Sequence, residues 1–73
     1  MKKYPIAAKV FQYVLVQKRL TGRALASILK IHHSTLQRYL KGQRQPTPVV
    51  KQRMAKLMQV GSFKELVTKA FYC

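Results

Sequence analysis

The side chains able to do acid–base, nucleophilic or metal chemistry are few in this 73-residue chain: one carboxylate, Glu65, one thiol, Cys73, and two adjacent imidazoles, His32 and His33. General acid–base catalysis needs a placed donor and acceptor, and covalent catalysis needs a nucleophile beside a base. These four groups supply neither arrangement, and no third ligand is spaced to complete a metal site around the histidines. The sequence does not read as an enzyme, and no catalytic residue, cofactor or metal is expected. What the chain has in quantity is positive charge, with 15 Lys plus Arg against that single acid and a formal net charge of +14. Such an excess says little about fold and much about partners, because its self-repulsion is offset only when a polyanion docks. Nucleic acid is the leading partner and an anionic membrane surface the next. The cations are dispersed from Lys9 to Lys69, which favours a folded basic domain over a disordered arm.

The elements that would carry this charge are short helices. From Pro5 to Leu20 the apolar residues Ala7, Val10, Phe11, Val14 and Leu15 recur at helical spacing,. Thr21 offers a cap for a second helix, Gly22 to Leu29, with Leu25, Ala26 and Leu29 facing inward,. A tight connection through Lys30-Ile31-His32 leads to a third helix, about His33 to Lys41, whose apolar side is Leu36, Tyr39 and Leu40. Gly42 suits the positive φ that follows a helix C-terminus, and Pro46 and Pro48 keep the next loop from being helical. Thr47-Pro48 caps and opens a fourth helix carrying Val50, Met54, Leu57 and Met58, with Gly61 expected to end it. Ser62-Phe63-Lys64-Glu65 reads as a capping box, which explains the only acid locally and opens a fifth helix over about 62–72. With 48% hydrophobic residues, a core can form, although at this length only about 60% of the unfolded surface is buried on folding. The expectation is one all-α domain over 1–73 built of five short helices.

Two short helices joined by a tight turn, the second polar at its start, form the arrangement that inserts a helix into the major groove of DNA. The string from Leu20 to Pro46 closely resembles the Cro and repressor family of phage-type helix-turn-helix domains. The marks are Leu25-Ala26 in the second helix, Ile31 after the turn, Ser34-Thr35-Leu36 opening the third helix, Gly42, and Pro46 four residues on. The resemblance covers about residues 5 to 60, with the helix-turn-helix over about 21–41. It implies a lambda-repressor-like fold whose third helix lies in the major groove, and dimers that contact two half-sites about one turn apart. Base reading is thereby assigned to His33, Ser34 and Arg38, with Gln37 as a further reader. Arg38 suits guanine, Gln37 suits adenine and Ser34 any base. Thr35, Gln43 and Arg44 fall at phosphate-holding positions, and Thr21, Arg23 and Lys41 join them.

The chain departs from the family in three places. Gly22 stands where the second helix often begins with a phosphate-clamping Gln, leaving Thr21 or Arg23 to serve. Lys30 stands where the turn usually has Gly, and a left-handed lysine costs roughly 1 kcal/mol. Leu15 and Leu40 replace a buried Arg–Glu pair, an exchange that is often neutral or stabilising.

The expected function is a sequence-specific double-stranded DNA-binding transcriptional regulator, a repressor that occludes a promoter. An excisionase-like or architectural DNA-binding factor shares the same helix, and a cationic membrane-active protein of the bacteriocin kind shares the charge but not the Gly42 and Pro46 register. Helix five carries more apolar residues than one small core covers, so a homodimer through Phe63, Leu66, Val67 and Phe71 is expected, at least on DNA. No membrane span, no small-molecule effector and a cytoplasmic location complete the expectation, since the single Cys73 speaks against a disulfide framework.

Overall fold

A computed structural model describes residues 4–72, and five helices make up the architecture: α1 (Pro5–Lys18), α2 (Gly22–Leu29), α3 (His33–Leu40), α4 (Pro48–Leu57) and α5 (Phe63–Tyr72). Cys73 lies outside the described residues. Each start has a chemical cause. The fixed φ of Pro5 and Pro48 preorganises the first turns of α1 and α4,. The hydroxyls of Thr21 and Thr47 accept from the amides of Ala24 and Val50, at 3.1 and 3.3 Å, satisfying donors that a helix start leaves open.

Left-handed residues follow the ends of α1 to α4. Lys30 takes φ 58° and closes α2, as its place in the turn requires, and Gly42 takes φ 73° after α3. Two ends differ from expectation. α1 stops at Lys18 because Arg19 turns left-handed (φ 52°), and α4 stops at Leu57, with Gln59 at φ 57° rather than Gly61 taking the left-handed position. The Val60 amide donates to the Ala55 carbonyl at 3.0 Å and completes that turn,. The capping box is shifted by one residue. Ser62 Oγ accepts from the Glu65 amide at 3.3 Å, but the Glu65 carboxylate reaches the Gly61 amide at 2.9 Å.

The core is one cluster that draws on every helix: Val10, Phe11 and Val14 from α1, Leu25 and Leu29 from α2, Leu36 and Tyr39 from α3, Met54 from α4 and Leu66 from α5. Tyr39 is 1% exposed and stacks on Phe11 with ring centroids 5.0 Å apart, an arrangement aromatic pairs favour. α1 packs against both α3 and α5, while α2 packs on α3 and α4. Leu15 and Leu40 are half-buried against this cluster rather than within it. Among the described residues no helix is long and apolar enough to cross a membrane.

Candidate nucleic-acid interface

Tyr39 and Leu36 fix the rotation of α3. With both side chains in the core, the 3.6-residue period turns Ser34, Gln37, Arg38 and Lys41 to the opposite side. Ser34, Arg38 and Lys41 are exposed there, and His33, Thr35 and Gln37 are half-buried. The eight residues of α3 span about 12 Å, a length that fits within a major groove.

His32 caps this helix. Its Nδ1 accepts from the Ser34 amide at 3.1 Å and lies 2.7 Å from Ser34 Oγ. An accepting Nδ1 leaves the ring proton on Nε2, so the exposed imidazole keeps a donor free while the Ser34 hydroxyl is held in place. His33 faces inward along the helix instead, with its Nε2 at 3.3 Å from Gln37 Nε2.

Residues assigned to phosphate fall at both ends of α3. At one end the start of α2 lies beside it: a Cβ at Gly22 would stand 3.5 Å from both His33 Nε2 and Gln37 Nε2, and the exposed Thr21 and Arg23 flank that glycine. At the other end Lys41, Gln43 and Arg44 are exposed. The loop that carries them is tied down by the amides of Gly42 and Gln43, which donate to the carbonyls of Tyr39 (3.0 Å) and Arg38 (2.9 Å). The Glu65 carboxylate is committed to the Gly61 amide.

Arg53 belongs to the site in a way its sequence position does not announce. Its Nη1 donates to the Leu29 carbonyl at 2.8 Å. That bond satisfies the end of α2, complements the negative end of its dipole and holds the α2–α3 turn against α4. At least one donor of the guanidinium is spent on structure.

The four residues expected to form a dimer interface are not all at the surface. Leu66 is fully buried in the monomer's own core, so it has no surface to offer a second copy. Phe63 and Val67 are half-buried and Phe71 is 40% exposed. Both phenylalanine rings carry a lysine: Lys9 Nζ lies 4.5 Å from the Phe71 centroid and Lys51 Nζ lies 5.6 Å from that of Phe63, within cation–π range. Val16, 72% exposed on α1, shares a shallow groove with Tyr13 and Ala70.

The sequence pattern of the helix-turn-helix family matches residues 11–65, from the middle of α1 into the first turn of α5 and well over half of the chain. No curated protein and no solved structure matches it.

Proposed function

This chain belongs to the helix-turn-helix family of the Cro and XRE type and is a DNA-binding regulator; on that premise we propose that it reads one specific double-stranded sequence and represses transcription by occupying a promoter. The observation that carries this reading is the rotation of α3: Leu36 and Tyr39 are buried while Ser34 and Arg38 are exposed one turn apart. Arg38 grips guanine in two-pronged fashion and Ser34 takes a neighbouring base edge. Thr21, Arg23, Lys41, Gln43 and Arg44 hold phosphates on either side and set the register without reading sequence. Repression by exclusion needs nothing beyond occupancy, so the DNA-binding domain suffices for it. The protein acts as a homodimer on DNA, through Phe63, Val67 and Phe71 extended by Val16. Lys9 and Lys51 move off the phenylalanine rings when the second copy docks.

Selection of bound DNA from a random pool, followed by a promoter-reporter assay on the enriched site, tests the proposal. The expected result is a motif with two related half-sites, repression through it, and a log–log salt slope near −5 to −9 for about 6 to 10 neutralised phosphates. Enrichment of bent or A·T-rich DNA without a fixed motif would indicate an architectural role, and lysis of anionic vesicles without DNA preference a membrane-active one.

A further inference from the structure

We infer that His33 is a positioning residue that fixes the amide of Gln37 and so decides which purine Gln37 accepts. The inference rests on the reading of α3 as the groove-facing helix and goes one step beyond it. It takes His33 out of direct base contact and gives it a different task.

A glutamine amide nitrogen only donates, and a neutral imidazole has one donor and one acceptor nitrogen. The 3.3 Å approach of Gln37 Nε2 to His33 Nε2 is therefore an N–H of Gln37 donating to an unprotonated Nε2, with the ring proton on Nδ1. One amide N–H is spent in this way. The other N–H and Oε1 remain, a donor beside an acceptor, which complements the N7 acceptor and N6 donor of adenine. Were His33 to donate from Nε2, the amide would turn its oxygen to the ring and leave only its NH2 group outward. Two outward N–H groups suit the N7 and O6 acceptors of guanine instead. The protonated nitrogen of one half-buried ring thus selects between two purines at a base pair that ring never touches.

Gly22 borders the arrangement. Its missing side chain leaves the His33–Gln37 pair against open backbone, 3.5 Å from where a Cβ would stand, and any long side chain there would compete for the same space. The partner for the reading amide comes from its own helix, four residues earlier, rather than from α2.

The test compares the wild type, Gln37→Ala, His33→Phe and His33→Gln on duplexes derived from the selected site, with melting temperature measured for each. Gln37→Ala identifies the base pair that Gln37 reads. The wild type should prefer adenine over guanine there by ~5- to 150-fold, the range of a good two-pronged contact. His33→Phe fills the ring's space without an acceptor and should cut that preference to within about threefold, leaving other positions and scrambled DNA unchanged because no phosphate contact is lost. His33→Gln, which again places an acceptor within reach of the amide, should restore most of it. An intact adenine preference in His33→Phe overturns the inference, as does a loss of discrimination at a different base pair, which would make His33 itself a reader. A wild type that enriches no sequence at all removes the groove-reading role of α3, and the inference falls with it.

Discussion

The molecule contains two helical hairpins of similar construction, α2–α3 and α4–α5, that differ in how the second helix of each begins. Each first helix starts on a threonine cap, and each turn bends at a non-glycine residue in the left-handed region, Lys30 at φ 58° and Gln59 at φ 57°. The difference lies in the first turn of the second helix. In α5 that turn is closed on itself, with Ser62 bonding the Glu65 amide and the Glu65 carboxylate bonding Gly61. In α3 it is capped by the ring of His32 and carries no acid. A carboxylate at the start of a helix serves its dipole well, but it would repel phosphate. Similar turns thus yield different helix starts, one closed by a carboxylate and one capped without any negative charge.

The strongest way to break this comparison is to show that the hairpins fold separately. Leu36 on α3 and Leu66 on α5 are both fully buried in one core cluster, so Leu36→Ala and Leu66→Ala should each cost about 2–5 kcal/mol. Denaturant titration should show a single transition for both, and two steps would mean that the hairpins are independent units. The half-buried Leu40 should cost less than Leu36 when truncated to Ala.

Next in size is Arg53→Met, which removes the bond from α4 to the Leu29 carbonyl and should cost about 1.5–3 kcal/mol, as for a hydrogen bond from a charged group. Salt dependence of DNA binding should not change in this variant. A slope shallower by about one unit would mean that Arg53 also holds a phosphate.

Arg38→Ala against Lys64→Ala sharpens the comparison at the two exposed surfaces. Loss of Arg38 should weaken the cognate site by about 1–3 kcal/mol and relax one base pair. Loss of Lys64, exposed on the first turn of α5, should leave discrimination intact; equal losses of discrimination would erase the distinction between the hairpins. The smallest effect is expected at the turns. Lys30→Gly and Gln59→Gly relieve left-handed strain and should each raise stability by up to about 1 kcal/mol, read as a higher melting temperature.

Local chemistry explains why the helix starts could be anticipated from sequence. Thr21, Thr47, Pro48 and the Ser62–Glu65 spacing act within a turn of where they stand, and the apolar period turned Leu25, Leu29, Leu36 and Tyr39 inward as observed. The features that escaped join residues far apart or depend on small rotations. The Arg53 bond spans 24 positions, and nothing in the pattern of α4 separates that arginine from its neighbours. Leu66 and Val67 are adjacent on an apolar stripe, so which of them meets the core depends on how α5 rolls against α1. Gln59 took the turn position expected of Gly61 because the bond from Val60 to Ala55 was satisfied two residues earlier. The His33–Gln37 pair has the right spacing for contact, but only the empty side of Gly22 shows where the two side chains settle.

The amide of Tyr4 donates to the Gly42 carbonyl at 2.8 Å, and a Cβ on Gly42 would stand 3.4 Å from the Tyr4 carbonyl oxygen. Tyr4 is therefore stitched to the foot of α3, next to the loop proposed to hold phosphates. This has a practical consequence for handling the protein. On the proposed reading of α3, a bulky affinity tag joined directly to Tyr4 should lower DNA affinity in a protein that folds and melts normally. Cleaving such a tag should restore binding without changing the melting curve.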